Sequence, residues 1–385
     1  MLNTLFKLSG KMDQKTLETQ AIVEKHEKSE SQSFSFTVSN PPYQKMDNGP
    51  NPASVAIYHH YMNMAKEYSD KISMIYPTRW VQGGRGSGIA QFRSNELKST
   101  KYSSYYDYSN SMDIFPEVDI KGGINLFLWN REKTKPIVKC FYNGKPIIKA
   151  SISEKEIYVR DPGFSSMVDK VLTVLKTSKS LSEIIEPRGF YGEKISNKSR
   201  IEALPEEILN KVKAYYVIKG KGVYSRNLSI DNVRNNVIVN DWKVFASKTT
   251  SLQLNKTYPR TDRIFIGEPD SVSSDSFLKI GSFNSEAEAI NCLRYIKTEF
   301  CSMLFALITP AQNSTKSNYK LIPNVDFKTG EIKINNNETA FIDFGRPETL
   351  DNQLAEIFNL TEKEKQLLKS DIKPWRNRID PLGDK

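Results

Sequence analysis

The chain has little sulfur chemistry and almost no histidine. Its 385 residues contain three cysteines, Cys140, Cys292 and Cys301, with no C-x-x-C spacing among them. A disulfide scaffold is excluded, a zinc site has almost nothing to build on, and a reducing cytoplasm is the expected compartment. Histidine occurs only as His26, His59 and His60, too few for a His-rich metal centre, and no metal site is expected. His59 and His60 are neighbours on an expected helix, about 100° apart, so they cannot share a metal as an i, i+4 pair would. Long apolar runs are missing as well. Ile124 to Trp129, with one Asn inside, is far too short to span a bilayer. Mean hydropathy is −0.52, and the N-terminal MLNTLFKLSGKMDQK has no secretory h-region or small-residue cleavage site. No membrane role is expected. What is present is charge: 55 Lys+Arg against 45 Asp+Glu, a net +10. That excess permits nucleic acid as a partner. At 38% hydrophobic and 26% charged, the composition is that of a globular chain long enough for two domains.

Local patterns alternate strand with helix. FSFTV (34–38) reads as a strand that runs into Asn40-Pro41-Pro42-Tyr43, where two prolines forbid continuation as sheet or helix. Residues 53–69 carry Val55, Tyr58, Met62 and Ala65 at helical spacing. ISMIY (72–76) is the next strand. A glycine-rich loop, GGRGSG (83–88), follows, then a short helix over 89–97 and the strands KYSSYYDY and INLFLW. This order is α/β. Composition shifts at REKTKP (131–136), an expected domain boundary. Beyond it, Asn143-Gly144 marks a hairpin turn, 165–176 reads as a helix, and 285–307 reads as one long amphipathic helix. Ser285 with Glu288, and Thr361 with Glu364, have capping-box spacing.

The most informative feature is Asn-Pro-Pro-Tyr directly after an apolar strand; chance matches in a chain this long are roughly one in a thousand. The chemistry explains the residue types. An exocyclic base amine is a poor nucleophile hidden in the duplex, so the base must be rotated into a pocket. The Asn40 side-chain oxygen can accept one hydrogen bond from the amine. The Pro41 carbonyl, held by a ring-locked backbone, can accept the second. Pro42 completes the rigid corner, and the Tyr43 ring can stack on the flipped base, worth about 1–3 kcal/mol.

FTVSNPPYQ resembles motif IV of the adenine-specific DNA methyltransferases of restriction–modification systems. KISMIYPTRWVQGGRGSGIAQFR and MDIFPEVDIKGGINLFLWNR resemble the strands, loops and helix that follow in that group. WKVFASK (242–248), the 277–305 segment, YKLIPNVDF (319–327) and the closing IDFGRPETLDNQLAEIFNLTEKE are similar, in the same order, to the recognition region and tail of the larger type II-G-like enzymes. The resemblance implies a partial Rossmann-like methyltransferase domain (1–135), a mixed α/β target-recognition domain (136–345) and a helical C-terminal tail (346–385). It implies methyl transfer from S-adenosylmethionine to adenine in double-stranded DNA, with Asn40, Pro41, Pro42 and Tyr43 as the catalytic residues. Arg79, Arg85, Lys121, Lys243, Arg260 and Arg263 are the candidate DNA contacts; bidentate Arg suits a guanine edge.

The chain departs from the group in one respect. The resemblance places the cofactor on a glycine turn upstream of motif IV, yet 39 residues precede Asn40, and two βα units need about 30 residues or more each. AFIDFG (340–345) is a poor substitute, with one glycine followed by Arg346 and Pro347. The expectation is therefore a catalytic-loop and recognition chain whose cofactor half comes from a second polypeptide, or a relic that binds DNA without transferring a group. The GGRGSG loop has no acidic residue after a second strand, so it is not a dinucleotide fingerprint. Its amides and Arg85 can meet DNA phosphate, or it is a flexible connection. Trp80, Tyr102, Tyr105, Tyr106 and Tyr108 are expected chiefly as packing residues. Asp119-x-Lys121 and Glu331-x-Lys333 lie too close to Asp113 and Asp326 for a two-strand magnesium nuclease site.

Overall fold

The computed structural model describes residues 34–46, 54–82, 88–120, 122–153, 157–218, 222–234, 237–251, 260–261, 263–309 and 314–371. The chain divides into two compact units, Met1–Arg160 and Asp161–Lys385.

The first unit is built on a six-stranded mixed sheet. Its strands are β1 (Thr37–Ser39), β4 (Lys71–Pro77), β5 (Tyr102–Tyr108), β6 (Ile124–Asn130), β7 (Val138–Tyr142) and β8 (Lys145–Lys149). Two short strands, β2 (Gln44–Met46) and β3 (Ser54–Ala56), form a separate ribbon. The order is β1-β4-β6-β5-β7-β8. β1 runs parallel to β4, β6 is antiparallel to both β4 and β5, and β7 is parallel to β5. Side chains alternate between the two faces of a strand. Ile72, Met74 and Tyr76 therefore line one face with Phe127, Trp129, Tyr102 and Tyr105 of their partners, all buried. Helices α1 (Tyr58–Tyr68) and α2 (Ile89–Lys98) add Tyr58, Met62, Ile89, Phe92 and Leu97 to this core. Trp80 joins it through edge-on contacts with Tyr76, Phe92 and Tyr105. The aromatic set is therefore mainly packing, as its strand spacing suggested. Tyr106 faces the other way and stacks on Phe141, ring centroids 4.3 Å apart.

The second face carries Val38, Ile75, Leu126 and Leu128, of which Val38 is exposed and the others half-buried. β1 is the edge strand, and Phe34 and Phe36 beside it are exposed too. An apolar edge of this kind is normally covered or blunted.

The β7–β8 hairpin was expected in a recognition domain starting at 136; its backbone instead extends the first sheet through β5. Its turn is Asn143-Gly144, with φ of 44° and 79°, as that dipeptide predicts. The helix expected over 53–69 starts at Tyr58, because Ser54–Ala56 pairs with Gln44–Met46.

The second unit opens with α3 (Ser165–Val174) and α4 (Lys198–Ala203). β9 (Lys211–Ile218) and β10 (Gly222–Ser229) form an antiparallel pair, joined on the other side of β9 by β15 (Ser271–Ser273). β11 (Trp242–Ser247) pairs with both β14 (Ile264–Gly267) and β16 (Phe277–Phe283), while β12 (Thr250–Ser251) and β13 (Arg260–Thr261) form a small hairpin. Val212, Ala214, Leu228, Phe245, Val272 and Phe277 meet in one core. The single helix expected over 285–307 is two, α5 (Glu286–Ile296) and α6 (Glu299–Leu307). The break lies at Thr298, whose hydroxyl accepts from the Cys301 amide and donates to the Tyr295 carbonyl, capping the second helix. The unit closes with the hairpin β17 (Glu331–Lys333) and β18 (Thr339–Phe341), then α7 (Leu350–Ile357) and α8 (Glu362–Asp371). The Thr361–Glu364 capping box is reciprocal, whereas at Ser285 the hydroxyl accepts from Glu288 N–H and donates to the Glu288 carboxylate, half of the expected box.

Candidate active site

Strand direction brings four connections to one end of the first sheet. β1, β4, β5 and β7 all end there and β6 begins there, as the pairings Pro77–Ile124, Tyr108–Ile124 and Asp107–Tyr142 require. The segments leaving that end are 40–57, 78–88, 109–123 and the 143–144 turn. Loops at the carboxyl ends of strands are where open α/β sheets bind ligands.

Asn40 follows Ser39 at the tip of β1 and is exposed; Pro41 is buried, and Pro42 and Tyr43 are half-buried. The prolines end the strand, since neither can donate to a ladder. The corner is held at its far side. The Tyr43 carbonyl accepts from Ile57 N–H at 3.2 Å, just before α1, and the Tyr43 ring packs on the core. Burial raises the Tyr43 pKa above the ordinary phenol value, and a hydrogen bond from the Asn40 side chain opposes the rise. Tyr43 is therefore a neutral ring at physiological pH. An Asn that donates through its amide nitrogen keeps its carbonyl oxygen available as an acceptor.

Arg79 stands beside this corner, on the turn Thr78–Gln82 after β4, and donates to the Gln44 side chain at 3.3 Å. The turn rests on a buried carboxylate. Asp107 accepts from Thr78 Oγ1 at 3.3 Å, from the Tyr158 hydroxyl at 3.0 Å and from Arg160 through Nε and Nη2 at 2.9 and 2.5 Å. Thr78 N–H also donates to the Gly123 carbonyl, and Trp80 Nε1 donates to Asn125 at 2.9 Å. Gly123 has φ of 77°, and a Cβ there would lie 2.0 Å from the Tyr108 carbonyl oxygen. Only glycine fits that crossing. On α2, Glu96 is buried and pairs with Lys66 and the Tyr102 hydroxyl. His59 is buried against Tyr58 and Phe92, and the His60 ring lies tilted against it, centroids 3.9 Å apart.

The candidate DNA contacts fall apart spatially. Arg79 is at the corner just described. Arg85 and Lys121 lie outside the described residues. Arg260 belongs to β13, opposite Ser251, and Arg263 is exposed beside the same hairpin. Lys243 is a correction. It is fully buried in the second unit, where its ammonium sits 2.8 Å from Asp241 and donates to the Val239 and Ser271 carbonyls. Lys279 binds the same carboxylate at 2.7 Å. The register shift between Trp242 and Val244 leaves Lys243 at an irregular point of the β11–β16 pairing, so alternation along the strand could not place it. A lysine with all its donors committed inside a core does not reach a phosphate. Burial also lowers its pKa, against the pull of Asp241. The Asp107–Arg160 clamp escaped sequence reasoning, since its partners lie 53 positions apart.

Residues 3–115 match the model of the Eco57I restriction-modification methylase family. The likeness to restriction–modification methylases carried by FTVSNPPYQ thus holds over the stretch that builds the corner. An uncharacterized adenine-specific methylase from Mycoplasma pneumoniae is 28% identical over 126 residues, which cover 32% of this chain and 27% of that protein. The chain thus spans about a quarter of the length of that relative. A solved structure of the type IIL restriction-modification enzyme MmeI in complex with DNA aligns with 90% of this chain and 55% of that one, at 10% identity and a TM-score of 0.35. Among the described residues no helix is long and apolar enough to cross a membrane, and no cluster of His, Cys, Asp and Glu has the makings of a metal site.

Proposed function

We propose that this chain is the catalytic-loop and target-recognition portion of an adenine-specific DNA methyltransferase, with the first unit forming part of a Rossmann-like sheet. The observation that carries the reading is the placement of Asn40-Pro41-Pro42-Tyr43: a proline-stiffened corner at the carboxyl end of a parallel strand, with Asn40 open to solvent. A flipped adenine would stack on the Tyr43 ring. Its exocyclic amine would donate to the Asn40 side-chain oxygen and the Pro41 carbonyl, which favours a tetrahedral nitrogen with its lone pair directed away from the ring plane. Arg79, at the rim, is placed to meet a phosphate flanking the target. Duplex DNA is the partner, and the cytoplasm the compartment.

S-adenosylmethionine is the methyl donor the family resemblance implies. Among the described residues, AFIDFG (340–345) does not fit it. At the downstream candidate, Asp343 accepts from the Gly345 amide and its own N–H donates to the Gln353 side chain, in the exposed segment between β18 and α7. A second polypeptide supplying the cofactor half agrees with the apolar, one-sided β1 edge, where Phe36 and Val38 are 47% and 62% exposed.

The test is a methylation assay on duplex DNA with radiolabelled S-adenosylmethionine, with and without the product of a neighbouring reading frame that carries a glycine-turn cofactor motif. The chain alone transfers little or nothing. With the other half supplied, Asn40→Ala abolishes transfer and leaves duplex affinity within a few-fold. Full activity of that variant would remove the assigned role. The second reading is a recognition subunit without catalysis. It wins if calorimetry detects no S-adenosylmethionine binding in any such assembly.

A further inference from the structure

The short ribbon of β2 and β3 is rooted on the proline corner and pairs with no other strand among the described residues. The Tyr43 carbonyl accepts from Ile57 N–H at 3.2 Å, which closes the ladder at its base. Gln44, Lys45 and Met46 then pair with Ala56, Val55 and Ser54. All three residues of β2 are exposed. An isolated two-stranded ribbon is marginally stable in water, and β2 adds no side chain to the core. The two faces of the ribbon differ. Alternation puts Gln44 and Met46 on one side and Lys45 on the other. On the first side Arg79 Nη2 donates to Gln44 Oε1 at 3.3 Å. On the second side lies His60, exposed in the first turn of α1; partial burial, then the His59 ring and the Lys45 charge, hold its pKa below the ordinary imidazole value. The ribbon thus carries a cation on each side. Met46 is 60% exposed, and Ser54 across from it is exposed too. A single exposed apolar side chain is ordinary on a protein surface. Met46 is set apart by its place, three residues beyond the ring on which a flipped base would stack. At 3.3–3.4 Å per residue the separation is about 10 Å. That is within the width of the major groove, about 12 Å, which admits a two-stranded β-ribbon.

We propose that the β2–β3 ribbon enters duplex DNA beside the target and that Met46 fills the gap left by the extruded base, an inference that rests on this chain rotating a base out of the duplex. Extrusion costs a few kcal/mol of lost stacking and pairing, as an order of magnitude. An apolar side chain wedged between the neighbouring base pairs restores part of the lost contact. Methionine suits such a gap, because its unbranched, polarizable chain adapts to an irregular surface. Lys45 and Arg79, on opposite sides of the ribbon, meet backbone phosphates on either side of the gap and so set its position without reading bases. The wedge therefore adds affinity for an interrupted stack whatever the surrounding sequence.

The experiment uses the full chain and two fluorescein-labelled duplexes of one sequence, the first intact and the second with a single central abasic site, a gap already formed. Anisotropy titrations give the ratio of the two affinities. The wild-type chain prefers the abasic duplex several-fold, and a second pair of duplexes of unrelated sequence gives the same ratio. Met46→Ala brings the ratio close to unity, and Met46→Leu restores it. Ile208→Ala, which removes another exposed apolar side chain, in the second unit, keeps the wild-type ratio. Lys45→Gln weakens binding to both duplexes alike and lowers the salt slope by about 1. Circular dichroism of every variant reports folding separately. If the wild-type chain binds both duplexes equally and with a steep salt dependence, the wedge is wrong while the DNA reading stands. A Met46→Ala protein that keeps the full preference overturns the assignment to Met46. If the wild-type chain binds neither duplex, the DNA reading fails and takes the wedge with it. A preference confined to one sequence would mean base reading and would also overturn the wedge.

Discussion

The Asp107 carboxylate makes the sharpest stability prediction. It is 1% exposed and receives five hydrogen bonds: three from Arg160, one from Tyr158 and one from Thr78. Burial works against the Arg160 charge and Asp107 more than offsets it, so the guanidinium pKa rises. Asp107→Asn keeps the shape but removes the counter-charge. Breaking a buried pair on one side costs about 3–5 kcal/mol, because the remaining charge stays buried and unpaired. That is a large share of the roughly 5–15 kcal/mol that holds a domain folded. With a urea slope of about 1–3 kcal/mol per molar, the transition of the first unit moves down by about 1–5 M. The assay is urea unfolding of the full chain followed by tryptophan fluorescence, to which Trp80 and Trp129 contribute from this unit. The double variant Asp107→Leu/Arg160→Met removes both charges. It is less destabilised than the sum of the two single changes by about 1–3 kcal/mol, the range of coupling for residues in contact. An Asp107→Asn protein within about 1 kcal/mol of wild type, or additive single changes, would refute the reasoning. So would an intact fold in which Thr78 and Arg79 keep their places without the carboxylate.

Other outcomes follow from single positions. Lys243→Met leaves duplex affinity unchanged, because its ammonium is internal; it loses about 1–3 kcal/mol of stability, since the Val239 and Ser271 carbonyls lose their donor. A drop in DNA affinity with unchanged melting would contradict the burial. Gly123→Ala puts a Cβ into the Tyr108 carbonyl at positive φ and costs at least about 1–3 kcal/mol, measured by thermal melting. A neutral effect would mean the 109–123 connection is placed differently. Cys140, Cys292 and Cys301 are all buried, and burial pushes the Cys140 thiol up to about 11 and Cys301 up to about 12. Thiolate is the reactive form, so a thiol reagent at pH 8 labels the native protein far more slowly than the urea-unfolded chain. Equal rates would disprove the packing.

Much of the first unit was legible in one dimension. The alternation in ISMIY and INLFLW and the Asn-Gly turn are local rules, and local rules survive folding. The same holds for the corner. The end of β1 at Asn40 was legible because two consecutive prolines after an apolar strand leave the backbone few choices. The long helix was read wrongly because Thr298 competes for backbone donors, and apolar periodicity alone does not register that. The domain boundary was misplaced because the charged 131–136 segment looks like a linker, whereas β7 returns to pair with β5.

The sequence by itself determined the residues that make up the proline corner, the α/β order of the first unit and the shortage of candidate metal ligands. Those depend on residue type and near neighbours. Only the tertiary structure decided which cations face outward. Lys243 and Lys248 lie five positions apart on one strand and the turn after it, yet one is sealed against Asp241 and the other stands half-buried beside Arg188. Their difference comes from Val239, Ser271, Ser276 and Ser314, groups brought together by chain crossings. A charge is inside or outside according to what folds around it, and that is a property of contacts between distant segments.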